Sequence, residues 1–258
     1  MELKGKRAIV TGCARGMGAA IVRAYTAAGA DVVGMDVNDA DGERVVKEAG
    51  STGSGRASYR SVDVADGESV RAAFADAAAE LGGLDVLAHP AAIQRSSGAS
   101  DVSVDDWDLM FAVNVRGTML TNQAAFHLMK PSGGGSIINF GSISGQRPEV
   151  GAAAYSAAKG AVHSWTRTAA GTWGADGVRV NAVLPAMATP MYLEARARAT
   201  EEQNTASYWQ NLRTIALGQE YGDPDRDLGP VMVFLASDAS HFITGQLIPV
   251  DGGQTSVR

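Results

Sequence analysis

Seven short, unbroken apolar runs, separated by longer alanine-rich stretches, restrict the fold of this chain more than any other feature. The runs fall at residues 8–10, 31–35, 59–62, 84–88, 136–140, 178–183 and 247–250. They are continuous rather than alternating apolar and polar, which is the pattern of strands covered on both faces. Between them, residues 17–28 (closed by Gly29), 39–49, 69–81 and 104–129 read as helices. Strands alternating with helices predict an α/β chain: a doubly wound seven-stranded parallel sheet of Rossmann type, with helices on both faces. No Pro/Ser-rich linker interrupts the pattern, so residues 1–258 read as one domain, and residues 51–55 and 132–135 as flexible turns. One connection, at about residues 186–225, is too long for the pattern. Connections of that length are usually lids or hold helices of their own. Residues 189–207 are helix-permissive, and Met187, Met191, Tyr192, Tyr208 and Trp209 would either pack into the core or cover a substrate pocket.

Composition removes several function classes. A net charge of −6 with no Lys/Arg-rich stripe speaks against nucleic acid as a partner. Nowhere do about 18 apolar residues run together, so no membrane span is expected, and the first apolar run is too short for a signal-peptide core. A single cysteine, Cys13, allows no intramolecular disulfide and points to a reducing, cytoplasmic setting. Neither CxxC nor HExxH spacing occurs, so no metal is expected. The 31 glycines carry no Gly-X-Y period. Their excess over the usual ~7% therefore signals tight turns and close backbone approaches.

The first run ends in Thr11-Gly12-Cys13-Ala14-Arg15-Gly16-Met17-Gly18, immediately before the first helix. Glycines there let the chain turn sharply and let a pyrophosphate approach the positive end of a helix. The spacing is GxxxGxG rather than GxGxxG, so the cluster alone would equally suit a plain strand–helix turn. Asp36 ends the second strand, where a carboxylate can accept hydrogen bonds from both hydroxyls of an adenosine ribose. Asp36 could also simply open a turn with Asn38 and Asp39, and Asp63, ending the third strand, is ambiguous in the same way. Tyr155 and Lys159 stand one helical turn apart. A phenol of pKa ~10 is a poor base at neutral pH unless a cation stabilises its phenolate, and an ammonium one turn away can do so. Ser142, on the loop after the fifth strand, could place a hydroxyl beside that phenol.

Together, TGxxxGxG at residues 11–18, Asn114, Ser142 and Tyr155-x-x-x-Lys159 resemble the short-chain dehydrogenase/reductases, in order and through to Asp251-Gly252-Gly253. The resemblance implies that Tyr155 is the general acid/base and that Lys159 lowers its pKa and holds the nicotinamide ribose. Ser142 would orient the carbonyl or alcohol, and Asn114 would anchor a water that relays protons to Lys159. It implies cofactor contacts from Gly12, Arg15, Gly16, Met17, Gly18, Asp36, Asp63, Val64, Ala91, Tyr155, Lys159, Pro185, Ala188 and Thr189. Two departures stand out. His89-Pro90-Ala91-Ala92 replaces the usual Asn-Asn-Ala-Gly; Pro90 lacks an amide hydrogen, and the His89 ring is expected to replace an asparagine as a structural hydrogen-bonding group. Pro185-Ala186-Met187-Ala188-Thr189-Pro190 lacks the usual Gly after Pro.

The implied activity is that of an NAD-dependent alcohol dehydrogenase acting on a small-molecule secondary alcohol or ketone. The alternatives are an NADPH-linked carbonyl or 3-oxoacyl reductase and, since Tyr155 and Lys159 both stand, less readily a catalytically silent dinucleotide-binding protein. The Met and aromatic residues of the long connection lean towards an apolar, cyclic alcohol, whereas Gln94, Arg95, Arg147 and Glu149 keep a polar substrate open. A homotetramer is expected from the resemblance and from an apolar pattern at Leu228, Val231, Met232 and Leu235.

Overall fold

Each expected strand is present: β1 (Arg7–Thr11), β2 (Asp31–Asp36), β3 (Ala57–Ser61), β4 (Val86–His89), β5 (Gly135–Phe140), β6 (Val178–Pro185) and β7 (Leu247–Val250). The computed structural model describes residues 2–255, apart from the side chains of Met191, Ala195, Ser207 and Gln210. The seven strands form one sheet in the order β3-β2-β1-β4-β5-β6-β7. Every neighbouring pair is parallel, with Val10 of β1 opposite Gly34 on one side and Ala88 on the other. The chain winds outward from β1 in one direction and then returns to wind outward in the other. That reversal opens a crevice at the carboxyl ends of β1 and β4.

Apolar layers cover both faces. On one, α1 (Gly16–Ala27), α2 (Asp39–Thr52) and α9 (Gly229–Ala236) bury Ile21, Tyr25, Val45 and Met232 against Val10 and Val32. On the other, α3 (Gly67–Leu81), α5 (Gly117–Met129) and α6 (Ala153–Trp173) bury Phe74, Met129 and Ala169 against Ile9 and Ile137. Leu228, Met232 and Leu235 are fully buried within this subunit, and the Tyr25 hydroxyl donates to the Met232 carbonyl at 3.3 Å. The apolar pattern expected to serve an oligomer interface is therefore core packing.

Local chemistry accounts for the other departures. Helix α2 runs past Ala49 because the Ser51 and Thr52 hydroxyls donate to the Glu48 carbonyl, at 2.8 and 3.1 Å, and so satisfy the last turn. The helical region 104–129 is divided into α4 (Val104–Phe111) and α5 by a wider π-helical stretch, Ala112–Arg116. The long connection holds two helices, α7 (Pro190–Arg198) and α8 (Glu201–Gln210). They part where Thr200 and Gln203 cap each other's backbone N–H, at 3.2 and 2.9 Å. Its two ends are clasped: Ala188 N–H donates to the Gly222 carbonyl at 2.8 Å, and Gly222 N–H to the Ala186 carbonyl at 3.0 Å. The side chains named there divide. Met187 is buried in the core, Tyr192 meets Tyr221 edge-on at 4.7 Å, Trp209 is 59% exposed, and the side chain of Met191 lies outside the described residues.

Candidate active site

The glycine loop is shaped by contacts that no side chain could survive. Gly12 and Gly16 have φ of +61° and +55°, a region that favours glycine. A Cβ on Gly12 would lie 2.8 Å from the Ala91 Cα, and one on Gly18 only 1.9 Å from the Gly12 carbonyl oxygen. The loop is thus pressed between the segment after β4 and the start of α1. No side chain caps α1, so its first-turn N–H groups are left for an anion.

In front of the loop lies a cleft of about 400 Å³. Gly12, Arg15, Gly16, Met17 and Gly18 form its floor and rim, Asp36 closes it after β2, Asp63 and Val64 line it after β3, Ala91 after β4 and Thr189 after β6. Val37, Ile93 and Val113 also line it; the sequence reading missed them because an aliphatic side chain beside a glycine loop carries no chemical signature. Pro185, the last residue of β6, and Ala188, whose N–H is held by Gly222, are not on its wall. The Asp36 carboxylate accepts Ala14 N–H at 2.9 Å and Asn38 N–H at 3.0 Å, so it braces the glycine loop and the entry to α2. Asp63 accepts Ala65 N–H at 2.9 Å, closing its own turn.

Tyr155 and Lys159 share one face of α6, with His163 one turn further on. The Lys159 ammonium donates to the Phe140 carbonyl at 2.8 Å and lies 5.5 Å from the centre of the Tyr155 ring. Burial pushes Lys159 down to about 8. Burial also pushes the Tyr155 phenol up to about 12, the charge of Glu149 adding to the rise and a hydrogen bond from Ser142 opposing it. The protein alone therefore keeps the phenol protonated. Ser142 is fixed from two sides: its N–H donates to His163 Nε2 at 3.3 Å, and its Oγ lies 3.0 Å from Ser144 Oγ. Asn114 sits in the π-helical stretch, and its amide bonds both the N–H and the carbonyl of Ile93 at 2.9 Å.

His89 is buried, with Nδ1 2.8 Å from the Thr11 hydroxyl and 3.3 Å from that of Thr121. Burial, then the charge of Lys159, push it down to about 3. A ring held neutral between β1 and α5 braces the sheet edge, as expected of a group standing in for asparagine.

Residues 12–255 match the family model described as enoyl-(acyl carrier protein) reductase. The chain is 37% identical to D-threitol dehydrogenase of Mycolicibacterium smegmatis over 98% of its own length and 94% of the relative's. It belongs to the short-chain dehydrogenase/reductase family. As a short-chain dehydrogenase/reductase it is an oxidoreductase. It is also 37% identical to meso-2,3-butanediol dehydrogenase of Serratia marcescens, over 99% and 97% of the two chains. Among solved structures, a short-chain type dehydrogenase/reductase from Mycobacterium ulcerans superposes with a TM-score of 0.92 at 29% identity, covering 100% of this chain and 92% of that one. Among the described residues, no group of three or more His, Cys, Asp or Glu could hold a metal, and no helix is long and apolar enough to cross a membrane.

Proposed function

We propose that this enzyme is an NAD-dependent dehydrogenase of secondary alcohols, with vicinal diols or polyols as its substrate class. The observation that carries the reading is the placement of Tyr155, Lys159 and Ser142 on α6 and the loop before it, in a family of nicotinamide-linked oxidoreductases. The residues present fit the cofactor: the cradle at Gly12 and Gly18 has no room for a Cβ, the start of α1 is uncapped, and Asp36 stands at the far rim.

When bound, the nicotinamide supplies the acceptor or donor of hydride. Tyr155 Oη takes the proton of the substrate hydroxyl in oxidation and returns it in reduction. Lys159, anchored on the Phe140 carbonyl, holds its charge beside the phenol and favours the phenolate. Ser142 Oγ orients the substrate oxygen. Asn114 anchors the water that relays protons towards Lys159; its carbonyl accepts the Thr118 hydroxyl at 2.7 Å, which leaves a lone pair for that water.

Diols are favoured because the two curated relatives above are named for threitol and 2,3-butanediol and because Glu149 and Arg147 act on the pocket-side Tyr221. The apolar lean of the long connection is weaker, since Met187 packs inward and Trp209 outward. Arg15, exposed on the cleft rim, favours the second reading, an NADPH-linked carbonyl reductase. A homotetramer and a cytoplasmic setting complete the proposal, the latter supported by the one buried thiol, Cys13.

The test is a screen of alcohols and diols with NAD and NADP, read by the fluorescence of the reduced cofactor, repeated with Tyr155→Phe. Loss of the phenol should lower turnover about 10²–10⁴-fold while cofactor binding persists. Activity within about tenfold of the parent would show that Tyr155 is not the proton acceptor.

A further inference from the structure

The loop between β5 and α6 carries a hydrogen-bonded chain that the reading above does not use. Ser142 Oγ donates to Ser144 Oγ at 3.0 Å, and Ser144 Oγ donates in turn to the Glu149 carboxylate through a short hydrogen bond. Ser144 is buried, and its N–H donates back to Ser142 Oγ at 3.1 Å. Glu149 is close enough for its charge to act on both Tyr155 and Tyr221.

A hydroxyl owns one hydrogen, and an ionised carboxylate owns none. Glu149 therefore receives the hydrogen of Ser144. Ser144 Oγ can then offer Ser142 only a lone pair, so the hydrogen of Ser142 turns towards Ser144. What remains on Ser142 Oγ, after the Ser144 N–H, is an acceptor.

We propose that Glu149 is a positioning residue which, through Ser144, orients the Ser142 hydroxyl so that it meets the substrate oxygen as a hydrogen-bond acceptor. This rests on the reading that Ser142 faces the reacting oxygen. An alcohol has a hydrogen to give such a group, and a ketone does not. To donate to a ketone, Ser142 must turn away from Ser144 and give up the bond it makes there. The chain thus favours the bound alcohol over the bound ketone. The equilibrium constant of the reaction is unaffected, so the preference appears in KM, with compensating changes in kcat.

The experiment measures KM and kcat in both directions with 2,3-butanediol and its hydroxyketone, for the parent, Glu149→Leu, Glu149→Gln, Ser144→Ala and the Glu149→Leu/Ser144→Ala double variant, with Ser142→Ala alongside and a melting curve for each. In Glu149→Leu and Ser144→Ala the ratio of ketone KM to alcohol KM should fall about threefold to tenfold, the worth of one neutral hydrogen bond. The double variant should fall no further, because both changes cut one chain. Glu149→Gln keeps an oxygen that accepts from Ser144 and should restore the parental ratio. If Glu149→Gln behaves like Glu149→Leu, the carboxylate acts through its charge on Tyr155 and the chain is refuted. An unchanged ratio in both single variants, or additive falls in the double variant, refutes it equally. Parental turnover in Ser142→Ala would overturn the reading of Ser142 itself, whereas loss of turnover there with unchanged ratios elsewhere would sink only the role of Glu149.

Discussion

Asp36 sets the cofactor preference, and the structure separates its charge from its bracing role. A carboxylate about 4 Å from a 2′-phosphate is repelled by ~1 kcal/mol in bulk water and ~4 kcal/mol at an effective dielectric near 20. Asp36 is half-buried at the cleft rim, so a value between these limits applies. Arg15 would attract the same phosphate, but an exposed side chain recovers under about 1 kcal/mol. With a free 2′-hydroxyl, Asp36 instead gains a charge-assisted hydrogen bond. We expect NAD to be preferred by about a hundredfold, ~2.7 kcal/mol. Both carboxylate oxygens already accept a backbone N–H, from Ala14 and Asn38. Asp36→Asn keeps an acceptor for one of them and removes the charge; Asp36→Ala removes both. Fluorescence titration with NADH and NADPH should show Asp36→Asn losing most of the discrimination while its melting temperature stays near the parent's. Asp36→Ala should lose the discrimination and also melt earlier. Equal catalytic efficiency with NAD and NADP in the parent would refute the reasoning outright.

Other outcomes follow from the buried titratable groups. Folding carries Lys159 from 10.5 to about 8, so the unfolded chain binds more protons between those values and native stability rises with pH across that window. Lys159→Met should therefore stabilise the cofactor-free protein at pH 7 by about 1–3 kcal/mol, a gain that urea melts should show fading towards pH 10; the same variant should bind cofactor more weakly and shift the alkaline rise of alcohol oxidation upward. His163 and His89 are pushed by burial to about 4 and about 3. Both protonate in the unfolded chain first, so their contribution is full above pH ~6.5 and is lost as pH falls towards 4, at up to about 1.4 kcal/mol per pH unit for each. Replacing His89 by asparagine should flatten that acid slope, and an unchanged slope would remove it from the account. The homotetramer is checked by light scattering at micromolar concentration, where a mass of 26.7 kDa would exclude it.

What could be read from the chain follows from what one-dimensional pattern records. Continuous apolar runs such as residues 178–183 mark strands covered on both faces, and all seven appeared where expected. Tyr155 and Lys159 were legible because an interval of four residues on a helix is itself a spatial statement. The π-helical stretch around Asn114 was not, since its cause is a pair of bonds to Ile93 in a distant segment. Leu228, Met232 and Leu235 were taken for an outer face because apolar periodicity shows that a side is covered without showing by what. The chain Ser142–Ser144–Glu149 and the bond from Ser142 to His163 depend on loop conformation, which no spacing rule records.

The clasp at Ala186, Ala188 and Gly222 has a consequence for how this enzyme could change. The two ends of α7, α8 and their connections meet at one point, so the segment enters and leaves the sheet like a handle fixed at its base. Closing a longer handle on the same base adds only about 0.6 kcal/mol for each doubling of its length. Replacing residues 189–221 therefore transmits little strain to β6, to the glycine loop or to Tyr155. Substrate range can drift by exchange of this one piece while the chemistry beneath it stays where it is.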